Sequence, residues 1–185
     1  MPLLLILGVV APTRGSVLMD GLPCGDIDRR GLRVSIARVA HDSYIFPVSM
    51  SENIQLFRSD RVTKGGMNMA LEIAGCSNIA YRLKENIGEQ GNRLSAGEKQ
   101  RVLIARALCG NAKVLLLDEA VASIDVASKK AIYESIFENA RAFGRTVIVV
   151  DHDFATVLPT VDRHFILSSG ELREIETSPT WKRRA

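Results

Sequence analysis

The apolar positions along this chain fall into three patterns, and each predicts a different kind of element. Residues 2–10 are apolar on nearly every side and predict a buried helix or strand. Ser16 to Met19 predicts a short strand, closed by a tight turn at Asp20-Gly21. Residues 26–32 are polar and hold one helical turn. Val34 to Val39 alternates apolar with polar, the period of a strand with two unlike faces. Val114, Leu115, Leu116 and Leu117 are four apolar residues in succession, bounded by Lys113 and Asp118. Such a run predicts a strand buried on both faces of a parallel sheet. Thr146 to Val150 predicts a second fully buried strand. Helical spacing links Met69, Ala70, Leu71 and Ile73, then Val102, Leu103, Ala105 and Leu108, then Ile132, Ile136, Phe137 and Ala140. Gly144 ends the last of these helices.

Polar stretches mark the connections. Ser51-Glu52-Asn53-Ile54 predicts a helix start, residues 58–66 an exposed loop, and residues 85–93 a loop with Gly88 and Gly91. His164 to Leu167 and Glu171 to Ile175, around Ser168-Ser169-Gly170, predict a closing hairpin. Strand and helix alternate, so the fold class is α/β, a parallel sheet with helices on both faces. A mostly helical insert occupies residues 45–92. The expected division is a core of residues 1–44 and 93–185 around that helical subdomain.

Ser95 and Glu98 have the S-x-x-E spacing of a capping box. A Gly-containing turn, Leu94-Ser95-Ala96-Gly97, therefore feeds a helix whose first turn offers free N–H groups and a positive dipole end. An ordinary capped helix and an anion site both fit this stretch by itself.

Composition narrows the class. Apolar residues make up 46% and charged residues 24% of the 185 residues, close to a globular protein that dissolves in water. A net charge of +3 is too small to argue for nucleic acid, and Lys182-Arg183-Arg184 reads as a solvated end. Cys24, Cys76 and Cys109 are widely spaced, with no zinc pattern and no disulfide framework, which reads as reduced thiols in a cytoplasmic protein. No apolar run reaches the roughly 20 residues of a membrane-spanning helix. The apolar start lacks the basic flank and cleavage site of a signal peptide.

In open parallel sheets, ligands gather at the carboxyl ends of the strands. Asp118 and Glu119 end one predicted strand, and His152 follows another. An Asp there can hold a Mg²⁺-bound water in a phosphate site, and an adjacent Glu can polarise an attacking water.

These features in this order resemble the nucleotide-binding domain of ATP-binding cassette (ABC) transporters, over nearly the whole chain from Gly8 to about Ile175. Leu94-Ser95-Ala96-Gly97-Glu98 resembles the signature motif, usually Leu-Ser-Gly-Gly-Gln. Val114 to Glu119 resembles the Walker B strand with its catalytic glutamate. Ala122-Ser123-Ile124-Asp125 resembles the D-loop, and His152 matches the switch histidine. Residues 85–91, Glu-Asn-Ile-Gly-Glu-Gln-Gly, are similar to the loop that exporter-type domains carry before the signature. The resemblance implies a P-loop NTPase-like (RecA-like) fold. It also implies two cofactors, ATP and Mg²⁺, and head-to-tail pairing with a second ABC ATPase domain beneath the transmembrane domain of a transporter. The chain itself would then be cytoplasmic and peripheral to the membrane. It assigns Glu119 and His152 to catalysis, Asp118 to the metal, and Ser95, Gly97, Glu98, Asp125 and His41 to nucleotide contacts. His41 stands where the family has a glutamine, in Val39-Ala40-His41-Asp42.

The other departure is larger. G-x-x-x-x-G-K-[ST] needs a Gly-Lys step, and none of the seven lysines follows a glycine. By the resemblance, Met1 falls at or beside the last residue of that motif, so the phosphate loop and its strand are missing from this sequence. The expectation is a piece of a longer protein or a divergent chain, with little ATPase activity alone. Two other readings stay open. One is a non-catalytic half-site partner of an intact cassette. The other is an ABC ATPase of DNA repair or chromosome structure, disfavoured by the absence of coiled-coil heptads and of a basic face.

Overall fold

The computed structural model describes residues 2–40, 42–56, 62–110, 112–152 and 161–175. Helix α1 spans Pro2–Ile6, strands β1 and β2 span Leu18–Met19 and Leu22–Pro23, and helix α2 spans Arg29–Ser35. Strand β3 (Ile36–Ala40) leads to helices α3 (Met50–Gln55), α4 (Lys64–Ile73) and α5 (Ala96–Cys109). Then come β4 (Val114–Asp118), α6 (Val126–Ala142), β5 (Thr146–Val150), β6 (His164–Ser168) and β7 (Glu171–Ile175).

The central sheet is parallel, in the order β3-β4-β5. Its register pairs Ala40 with Asp118 and Asp118 with Val150. The apolar run of β4 is buried on both sides, as its composition predicts: Leu115, Leu116 and Leu117 are 0%, 0% and 2% exposed. Alternation along the strand sends them to different layers. Leu115 and Leu117 join the large cluster with Val102, Ile104, Tyr133 and Ile136, from α5 and α6. Leu116 joins Leu32 and Ile36, against which Leu3 and Ile6 of α1 and the following Leu7 pack. Helices therefore cover both faces, and the α/β class holds.

Several local expectations change. Residues 2–10 are not buried throughout. α1 stops at Ile6, Gly8 follows at φ +63°, a left-handed conformation favoured by glycine, and Val9 is exposed. Only the face carrying Leu3, Ile6 and Leu7 has a layer to pack on. The strand expected from Val34 starts at Ile36, because α2, capped by Asp28, runs through Ser35. β5 is not fully buried either. Val147, Ile148 and Val149 are half-buried, and Thr146 and Val150 are exposed. Among the described residues β5 pairs with β4 alone, so one of its edges has no strand to exclude water.

In the helical part, Ser49 and Glu52 form a reciprocal capping box at the start of α3. Of the loop expected over residues 58–66, residues 58–61 lie outside the described residues. Lys64 to Gly66 are instead the first turn of α4, capped by the Thr63 hydroxyl oxygen, which accepts from the Gly66 N–H. Arg106 fastens α5 to α3. Its guanidinium donates to the carbonyls of Tyr44 and Asn53 and to Asn53 Oδ1, at 2.7–2.9 Å. Burial pushes its pKa down to about 10. Strands β6 and β7 form the expected hairpin, paired from His164↔Ile175 to Ser168↔Glu171. The three cysteines are free. Among the described residues no helix is long and apolar enough to cross a membrane.

Candidate functional site

Parallel strands end on the same side of their sheet, and the register puts Ala40, Asp118 and Val150 in one row. The residues just beyond that row form the first group of candidates. Glu119 leaves β4 at φ +50°, a region that costs a residue with a Cβ. Its N–H donates to the Val150 carbonyl at 2.9 Å, and its own carbonyl accepts from the Ala122 N–H at 3.1 Å. These two bonds hold the turn, which brings Glu119 Oε1 to 3.0 Å from His152 Nε2. His152 is open to solvent, with its side chain 89% exposed. The preceding Asp151 accepts a 2.6 Å hydrogen bond from the Tyr133 hydroxyl, which ties the end of β5 to α6. Asp118 Oδ2 accepts from Arg38 Nη2 at 3.0 Å.

The second group lies where α5 begins. The capping box read from the sequence is present. Glu98 Oε2 accepts from the Ser95 N–H at 2.7 Å, and Ser95 Oγ accepts from the Glu98 N–H at 3.2 Å. The backbone bond from Ser95 holds the Glu98 carboxyl below its ordinary range, with help from the Ser95 hydroxyl and the Arg82 charge and against partial burial. A Cβ on Gly97 would stand 3.1 Å from the Ser123 carbonyl oxygen, so glycine here lets the helix start press against residues 122–125. Gln100 is buried, and its Oε1 accepts from the Ser123 N–H at 2.7 Å. Asp125 caps α6 by accepting from the Ser128 N–H at 2.9 Å. That backbone bond is the main reason its carboxyl sits below the ordinary range, with Arg101 a lesser one. Arg101 Nη2 lies 3.6 Å from Asp125 Oδ2 and so links the start of α6 to α5.

Asp118, Glu119 and His152 thus share the strand ends, while Ser95, Gly97, Glu98 and Asp125 share the α5–α6 corner. No hydrogen bond or ion pair among the described residues joins the two groups. His41 lies outside the described residues. Among the described residues no three His, Cys, Asp or Glu side chains converge on a metal position. A divalent ion at the strand ends would therefore find one carboxylate in Asp118 and take its other ligands from water or phosphate oxygens, so the protein alone would hold it weakly.

Comparison with known proteins decides the family. A family model described as ABC transporter matches residues 2–122. The chain belongs to the ABC transporter family. It is 35% identical over 175 residues to the beta-(1→2)glucan export ATP-binding/permease protein NdvA of Rhizobium meliloti (strain 1021), covering 90% of this chain and 30% of that protein. It is 33% identical over 169 residues to the ATP-dependent lipid A-core flippase of Bordetella avium (strain 197N), covering 89% of this chain and 28% of the flippase. A solved structure of a bacterial Atm1-family ABC exporter with ATP bound superposes with a TM-score of 0.83 at 29% identity, over 94% of this chain and 30% of that one. The chain spans just under a third of the length of these relatives.

Within the ABC transporter fold, three contacts of the site were not legible beforehand. Arg38, Gln100 and Tyr133 each bind a candidate residue or one within two positions of it. Arg38 carried a signal, since it is the charged position in an otherwise apolar alternating strand. Gln100 carried a weaker one, as a polar residue on the buried side of α5. Tyr133 carried none, because its partner lies 18 residues away on another element.

Proposed function

We propose that this chain is the greater part of the ATP-hydrolysing cassette of an exporter-type ABC transporter. The observation that carries the reading is the meeting of Glu119 and His152, 3.0 Å apart and beside Asp118, at the carboxyl ends of parallel strands. In this reading Glu119 takes a proton from the water that attacks the γ-phosphate in line. His152 contacts the γ-phosphate, which requires it to exchange its Glu119 contact for a phosphate oxygen. Asp118 would hold Mg²⁺, and the ion would supply charge neutralisation at the phosphates. The Gly97 N–H and the Ser95 hydroxyl approach the γ-phosphate of ATP held by a second cassette paired head to tail, with Glu98 in the same turn. Asp125 faces that partner, and His41 fills the position of the family's glutamine. The division into a core of residues 1–44 and 93–185 and a helical subdomain of residues 45–92 belongs to this reading. So does a place at the membrane, through the transmembrane domain of a transporter.

In a second reading the chain is the half-site partner of an intact cassette, supported by the helix start that Ser95 and Glu98 cap and that Gly97 seats against Ser123. The chain then lends Ser95, Gly97 and Asp125 to an intact cassette without hydrolysing ATP itself.

The test is an ATPase assay on the pure chain, alone and with an intact exporter cassette. Alone, hydrolysis of Mg-ATP stays at background; hydrolysis lost on Glu119→Gln would defeat that expectation. With the cassette in ATP, a complex forms and is lost on Ser95→Arg. A rate that also drops on Glu119→Gln supports a catalytic cassette. A rate that depends on Ser95 alone supports the half-site partner. No complex and no change in rate overturn both.

A further inference from the structure

The expected metal residue is already engaged by a cation of the chain's own. Arg38 lies on β3 opposite Leu116, two residues before Ala40, which pairs with Asp118. Alternation puts Arg38 and Asp118 on the same face of the sheet, one step apart across the strand pair. The geometry is close, with Arg38 Nη2 3.0 Å from Asp118 Oδ2 and 3.7 Å from Asp42 Oδ1. The guanidinium therefore stands between two carboxylates, one at the end of β4 and one just past the end of β3. Neither side chain of the Arg38–Asp118 pair is more than a third exposed, at 33% and 30%. The pair is partly open to solvent, so salt screens it in part.

We propose that Arg38 is a built-in counter-cation that competes with a divalent ion for Asp118, with Asp42 as its second anchor. The argument is electrostatic and steric. Arg38 sets a guanidinium nitrogen 3.0 Å from the Asp118 carboxylate oxygen. A divalent ion approaching Asp118 meets a like charge within a few ångströms of its binding oxygen. It also finds one lone pair of Asp118 Oδ2 already taken by Arg38 Nη2. Asp42 gives the displaced guanidinium a carboxylate to rest on, so exchange at Asp118 needs a rotation of one side chain and no backbone movement. Arg38 is thus a positioning residue that sets how readily the strand-end carboxylate takes a metal. This inference deepens the metal role proposed for Asp118.

Its test uses Mn²⁺ alone, with neither nucleotide nor partner, so its failure is distinguishable from failure of the ATPase assay. Free Mn²⁺ is measured by electron paramagnetic resonance during titration into the full 185-residue chain. Arg38→Met is expected to bind Mn²⁺ at least tenfold more tightly than the natural chain. Adding Asp118→Asn to that variant returns the affinity to the starting value. Asp42→Asn alone weakens Mn²⁺ binding, because the displaced guanidinium loses its second anchor. Where Arg38→Met loses its folded circular dichroism spectrum, Arg38→Gln keeps much of the length without the charge and is held to the same tenfold gain. Unchanged affinity in the folded Arg38 variant, or a gain that survives Asp118→Asn, overturns the proposal. Tighter binding in Asp42→Asn overturns the role of Asp42.

Discussion

Gln100 Oε1 accepts a 2.7 Å hydrogen bond from the backbone N–H of Ser123, and this bond fastens α5 to the turn that follows β4. Gln100 is only 5% exposed, so water does not readily replace it. Gln100→Ala leaves the Ser123 N–H without its partner. The expected loss is about 1–3 kcal/mol of stability, read as a lower urea midpoint. Amide exchange at Ser123 should speed up in the same variant, which separates loss of this bond from general loosening. An unchanged exchange rate at Ser123 would count against the bond.

Glu119 is held at φ +50° by backbone bonds to Val150 and Ala122. Glycine adopts that conformation freely, whereas any residue with a Cβ is strained there. Glu119→Gly is therefore expected to be more stable than Glu119→Ala by about 1 kcal/mol. Urea unfolding of the two variants makes the comparison with the carboxylate absent from both. Equal stabilities would mean that the turn relaxes once the side chain is removed.

The capping pair at α5 carries a pH dependence with a definite sign. The Ser95 backbone bond keeps the folded Glu98 carboxyl below its ordinary 4.5. The charged form is therefore the one that folding favours. Its contribution is fully present above pH 4.5 and is lost as the pH falls through the lowered folded value. Glu98→Gln retains an acceptor but not the charge at the helix start. It should cost about half a kcal/mol at pH 7 after solvent screening. That deficit should vanish in acid. A deficit that stays constant with pH would exclude the charge as its source.

Cys76 is fully buried, and burial pushes its thiol up to about 12. Thiolate is the reactive form, so Cys76 should resist maleimide at pH 8 in the folded chain. Cys109 is also raised by burial, though it is less enclosed. Mass spectrometry after a brief pulse should find Cys76 unmodified, with all three cysteines labelled in guanidinium chloride. Labelling of Cys76 at the rate of Cys24 would show that the cluster around it opens readily.

What could be read from the sequence was local or strictly periodic. Four apolar residues bounded by charge specified β4 because a strand with both faces buried has no other composition. Ser95 and Glu98 announced their capping box because both partners lie within one helical turn. The closing hairpin was legible for a similar reason, since a tight turn sets the register of its two strands.

Tertiary structure decided which distant side chains meet. Arg38 and Asp118 are 80 positions apart, and only the β3–β4 register sets them one step from each other. Gln100 finds Ser123 because Gly97 lets α5 approach that turn. The exposure of β5 was hidden from its composition, because burial depends on neighbours and a strand's own residues do not name them. Periodicity tells which face a residue occupies, while register and packing decide what stands opposite. For α5 the sequence therefore determined the cap and its free N–H groups. The fold decided that the Asp118 carboxylate, at the end of β4, already holds a guanidinium.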